Sequence, residues 1–179
     1  MPARQQIERF WDFSIRTYRT SGVPDACLSL QNDYGADVNM LLYCCWVGTY
    51  VGEFDDQLFA RANDFSATWA GQVVAPLRSA RTWMKHTGCG MGPVPTESCM
   101  LLRDDIKSVE FAAEKLQQEV LQSLLSSEDG RDAVPDQVLH GVVANLNRYA
   151  ESVGLDLCDD SKQKFSVIIA AAMPRQTSV

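Results

Sequence analysis

The chain has 179 residues, 46% of them hydrophobic and 22% charged, with a formal net charge of -7. That length suits one domain able to bury roughly 70% of its unfolded surface, so no disulfide or metal staple is needed. An acidic surface repels phosphate backbones, which sets nucleic acid aside as a partner. The acidity is uneven: residues 1–86 hold 8 Lys/Arg against 9 Asp/Glu, and residues 87–179 hold 8 against 14.

Residues 4–19 place Ile7, Phe10, Trp11, Ile15 and Tyr18 at steps of three and four, the pattern of an amphipathic helix. Its other face carries Arg9, Asp12, Arg16 and Arg19. Met1 to Phe13 shows no apolar run like that of a signal peptide. Ser21-Gly22 ends the helix and Pro24 opens a second, which Gly35 closes with a left-handed C′ residue.

Asp37 suits the N-cap of a third helix. Val38 to Val51 is 14 residues long and apolar nearly all round, too short for a bilayer and expected to be the central core helix. Asp55-Asp56 opens a short helix to Ala62, and Asn63-Asp64 a longer one through His86, which Pro76 should kink. Residues 87–96, TGCGMGPVPT, hold three glycines and two prolines and read as a loop.

Leu102, Ile106, Val109, Ala113, Leu116, Val120 and Leu124 then mark one long helix near 98–126 with a narrow buried seam. The polar stretch 126–133 breaks the pattern. Pro135 opens a helix turning Val138, Leu139, Val142, Val143, Leu146, Tyr149 and Val153 inward, and Gly154 ends it. A last helix from Asp159-Asp160 buries Phe165, Ile168, Ile169 and Ala172 before Pro174 stops it. The expectation is an all-α, antiparallel bundle of six to seven helices in a single domain, residues 1–173, with a disordered tail at 174–179.

The candidate chemistry is thin. His86, Cys89 and Cys99 flank the Gly/Pro loop, but a zinc site needs four closed ligands and only Cys158, far along the chain, could complete the set. The six cysteines are too sparse for a disulfide framework, and the expected compartment is the reducing cytoplasm, so neither structural disulfide nor zinc is expected. Gly88, Gly90 and Gly92 lack the strand or Gly-Lys-Ser/Thr context of a phosphate loop, and Asp156, Asp159 and Asp160 lack the alternation of a calcium loop. His86 and His140 sit in helical segments without a partner motif, so no catalytic residue, metal ligand or cofactor is assigned.

The segment FWDFSIRTYRTSGVPDACLSLQNDYGADVNMLLYCCW, Phe10 to Trp46, is more specific. With Trp69, VVAPLR at 73–78 and ANLNRY at 144–149, it resembles a mainly proteobacterial family of conserved hypothetical proteins of the domain of unknown function 2390 type. The resemblance implies an all-helical bacterial protein and carries no activity, cofactor or site residue with it.

The reading that follows is a small cytoplasmic interaction or regulatory protein without catalytic activity. Arg9, Arg16 and Arg19 would form a basic patch for an acidic protein partner, and membrane contact through the first helix is the weaker use of it. The alternative is an enzyme or small-ligand binder with a pocket between helices near Asp12, Asn39 and Arg78.

Overall fold

A computed structural model describes residues 7–125 and 135–174. The fold is all-α. In order the helices are α1 (Phe10–Tyr18), α2 (Val23–Tyr34), α3 (Val38–Tyr50), α4 (Asp56–Trp69), α5 (Ala75–Trp83), α6 (Thr96–Ser123), α7 (Pro135–Ser152) and α8 (Asp159–Ala172). No helix among the described residues is long and apolar enough to cross a membrane. The polar break at 126–133 and residues 175–179 of the expected tail lie outside the described residues.

The chain divides into two compact units, Met1–Asn63 with Gln118–Val179, and Asp64–Gln117. In the first, α3 is the centre: every residue from Asn39 to Tyr50 is buried, as its lack of a polar face requires. Asp37 caps it, its carboxylate accepting from the Asn39 N–H at 2.9 Å. α7 packs along α3, α2 against α8, and α1 against both α3 and α8. Phe10, Tyr43, Trp46 and Phe54 form a connected aromatic cluster with ring centroids 5.3 to 5.7 Å apart.

The α3–α7 crossing is close because Gly48 faces Val142 and Gly141 faces Gly48 and Gly52. The ANLNRY segment of α7 then ties down both ends of α3. Asn145 accepts from the Phe54 N–H at 2.8 Å and donates to the carbonyls of Gly52 at 2.9 Å and Cys44 at 3.3 Å. The Tyr149 hydroxyl accepts from the Asp37 N–H at 2.8 Å, and Arg148 lies over the Phe59 ring while bonding Asp56.

The second unit is a pair of antiparallel helical arms. Ser66 accepts from Gln117 at 2.7 Å, Trp69 Nε1 donates to the Ala113 carbonyl at 3.0 Å, and Arg78 reaches Glu110 at 3.0 Å. Residue numbers on one arm therefore rise as those on the other fall, and the short Gly/Pro loop joins the two arms as a helical hairpin.

Several local expectations change. The first helix starts at Phe10, with Arg9 extended at the N-cap, so Ile7 and Arg9 precede the helix. Asn63-Asp64 starts nothing: helix continues from Asp56 to Gly88 through two π turns, Ala70–Val74 and Met84–Gly88. The first π turn answers Pro76. A proline ring clashes with the carbonyl four residues back and offers no N–H, and widening the preceding turn, with Ala75 N–H bonding the Ala70 carbonyl, absorbs the mismatch.

The seam expected on α6 holds only in part. Ala113 is buried and Ile106, Val120 and Leu124 are half-buried, but Leu102, Val109 and Leu116 are 54%, 54% and 45% exposed, while Cys99, Glu110 and Gln117 are buried. The inward face is turned round the helix and takes in the polar Glu110 and Gln117. Leu139 and Val153 of α7 likewise face outward. Leu116→Asp should therefore change stability by no more than about 0.5 kcal/mol, whereas Ala113→Asp, a charge beneath Trp69, should cost several. Urea midpoints for the two variants would separate these outcomes, and a large loss for Leu116→Asp would restore the original seam.

The cysteines depart furthest from expectation. Cys89 and Cys99 form a disulfide, with Cα atoms 5.4 Å apart. The hairpin loop brings the facing arm ends together, a proximity that a compartment argument and a sparse count could not register. Cys27, Cys44, Cys45 and Cys158 are free.

Candidate functional site

The arginine patch divides on inspection. Arg16 donates to Glu8 Oε2 at 3.0 Å and lies 5.0 Å from the Phe13 ring centroid. Glu8 is in turn a hub: Tyr50 donates to the same carboxylate oxygen at 3.0 Å, and Trp46 Nε1 donates to its backbone carbonyl at 2.9 Å. Arg16 thus helps fasten residues 7–9 to α3, while Arg9 and Arg19 are exposed on either side.

The alternative pocket residues stand in different settings. Asp12 is exposed on α1. Asn39 is buried in α3, its amide oxygen accepting from Gln118 at 2.7 Å. Arg78 belongs to the second unit, where its guanidinium bonds Glu110 at 3.0 Å and Glu114 at 2.7 Å. Arg81 closes on the same Glu110. Burial alone would raise the Glu110 carboxyl, but the hydrogen bonds and charges of Arg81 and Arg78 outweigh it and hold the group below the usual glutamate range.

An open cavity of about 260 Å³ in the first unit is lined by Val51, Glu53, Asp55, Gln57, Leu58, Arg61, Leu124 and Leu125. Its polar groups include Asp55, which accepts from the Leu58 N–H at 2.7 Å, and Glu53, which pairs with His140 at 2.6 Å. No group of three or more His, Cys, Asp or Glu side chains among the described residues is arranged to hold a metal ion.

Sequence reasoning named Cys158 only as a distant fourth zinc ligand. It is the N-cap of α8, and its thiol lies 3.4 Å from the Tyr34 hydroxyl, which donates to Asp160 at 2.8 Å. The Tyr34 hydroxyl, when its one proton turns from Asp160 to the sulfur, and then the Ser161 N–H and hydroxyl draw the thiol down to about 7. Burial pushes the Cys27 thiol the other way, up to about 12. A depressed acid stabilises the folded state above the ordinary thiol pKa and loses that contribution as pH falls through about 7. Alkylation mapped to Cys158 should therefore reach half its maximal rate near pH 7, with Tyr34→Phe moving the midpoint upward. An ordinary thiol midpoint in the parent protein would refute this.

α6 presents Leu101, Leu102, Val109 and Leu116 outward, with exposed Ala112 between them. These features define an all-helical protein with a hairpin unit that buries Ser66, Glu110 and Gln117 and exposes Leu101, Leu102, Val109 and Leu116 on α6. The chain belongs to the DUF2390 family of proteins of unknown function, which matches residues 9–121. That span takes in Phe10–Trp46, Trp69 and VVAPLR, whereas ANLNRY at 144–149 lies beyond it. No curated protein and no solved structure gives a match.

Proposed function

We propose that the chain is a non-catalytic interaction protein, and that the outward face of α6 makes its contact. The observation that supports this is the stripe of Leu102, Val109 and Leu116, each about half exposed on a helix that buries Glu110 and Gln117 on its other side. Scattered surface leucines are ordinary, but large apolar groups repeated along one helix line mark a contact surface. Separately, on the first unit, Arg9 and Arg19 are exposed and would steer an acidic partner; Arg16 is tied to Glu8 and adds little to that.

A photo-crosslinker placed at Val109 should give an adduct of defined mass in cells, identifiable by peptide sequencing. The adduct should disappear when Leu102 and Leu116 are both changed to glutamate. Labelling no greater than at exposed Glu151 would overturn the reading.

A further inference from the structure

The polar bonds that join the arms of the hairpin unit occupy its inner half, residues 64–81 and 110–117. There Ser66 meets Gln117, Trp69 meets Ala113, and Arg78 and Arg81 both reach Glu110. In the outer half the arms have no such ties. Among the described residues, none of 82–88 or 100–109 makes a hydrogen bond or ion pair to the other arm; Arg103 and Ser108 bond only to Asp104 on their own helix. Met84 and Cys99 are the buried side chains of this half. Arg103, one turn after Cys99, adds a cost, because its Nε is buried without a hydrogen-bond partner. What spans the outer half is the Cys89–Cys99 bond.

We infer that this disulfide is a reversible clamp. Oxidised, it holds the outer half of the hairpin shut; reduced, it lets that half open while the inner half stays paired. The inference concerns control of the fold and does not rest on the interaction reading above.

The two sulfurs differ in access. Cys89 is half-buried at the edge of a loop, 90–98, whose residues are all exposed, whereas Cys99 is buried. The thiolate of a thiol reductant therefore attacks Cys89. The Cys89–Cys99 bond breaks, and its electron pair goes to the Cys99 sulfur, which takes up a proton. A second thiol, giving up its own proton, attacks the reductant's sulfur in the mixed disulfide, and Cys89 leaves as a thiolate that is protonated in turn. The chain gains two electrons and two protons, and the two thiols become one disulfide.

Reversibility follows from how little reduction disturbs. A disulfide resists reduction when its loss undermines the whole fold. Here the loss frees a half-hairpin whose filling, besides the cystine, is Met84. That is a local opening, and it leaves Ser66, Trp69 and Arg78 bonded.

The test equilibrates the full chain in glutathione buffers of graded ratio without denaturant, followed by rapid quenching and peptide mapping. The Cys89–Cys99 pair should pass reversibly between disulfide and dithiol with the far-ultraviolet spectrum retained. At early times the trapped mixed disulfide should map to Cys89. On reduction, amide exchange in 82–88 and 100–109 should quicken by about tenfold or more, while 64–78 and 38–50 keep their protection. The double variant Cys89→Ser, Cys99→Ser should show the fast outer-half exchange in every buffer. A bond reduced only after denaturant unfolds the chain, or a reduced chain whose outer-half amides stay protected, would overturn the clamp. Exchange that quickens alike in both halves would also overturn it, since the bond would then hold the whole unit. An early mixed disulfide on Cys99 would do the same for the order of attack.

Discussion

Replacing Gly48 with alanine should destabilise the protein by about 2–3 kcal/mol, although the same change in an open helix raises stability by up to about 1 kcal/mol. The sign reverses because of what the new methyl group meets. A Cβ at Gly48 would lie 2.5 Å from the Val142 backbone nitrogen and 2.6 Å from its Cα, and backbone cannot swing aside as a side-chain tip can. α3 and α7 would have to separate, loosening the contact on which the first unit is centred. Gly71 supplies the control: a Cβ there meets nothing within 4 Å, so Gly71→Ala should be neutral or stabilising. Denaturant midpoints for the pair measure the difference, and equal small shifts would remove Gly48 as the point of closest approach.

The residues that were legible in the sequence are those whose structure follows from local chemistry. Pro24 near the start of α2, Gly35 at its left-handed end, Asp37 capping α3 and Pro135 opening α7 all act within one turn of themselves. The uniformly apolar run of α3 likewise announced its burial, because no face of it suits water. What stayed hidden depends on partners distant in sequence. A seven-residue stripe on α6 fixes a line along the helix, not which side faces inward; Arg78 and Arg81 decide that by drawing Glu110 in.

The same limit explains the site residues. Gly48 carries no local signal, because nothing in the residues beside it says that another backbone passes across it. Arg16 looked equivalent to Arg9 and Arg19 on a helical wheel, yet Glu8, Tyr50 and Trp46 give it a structural post. Cys158 carried no local signal at all; its character depends on Tyr34, brought beside it by the packing of α2 on α8. The ANLNRY words were conspicuous as a resemblance, and their physical content emerged only from the bonds that Asn145, Arg148 and Tyr149 make to the ends of α3 and the start of α4.

Asn145→Leu should cost about 3–5 kcal/mol, a large loss for a change that nearly conserves volume. The side chain is 1% exposed and serves three backbone groups at once. Leucine leaves the Phe54 N–H and the Gly52 carbonyl, which join α3 to α4, without this partner, and a buried orphan costs about 1–3 kcal/mol each. Asn145→Asp distinguishes this from a packing defect. Its carboxylate could still accept from Phe54, but it would face the Gly52 and Cys44 carbonyls with no proton to offer. Burial and those carbonyl dipoles would raise its folded-state pKa, because only the protonated acid can donate. A raised carboxyl is favourable at low pH and increasingly costly as pH climbs past its unfolded value, so this variant should lose stability between mildly acidic and neutral pH. The leucine variant should show no such added slope relative to the parent. Parallel pH profiles for the two variants would mean that the hydrogen bonds of Asn145 do not hold the α3–α4 connection.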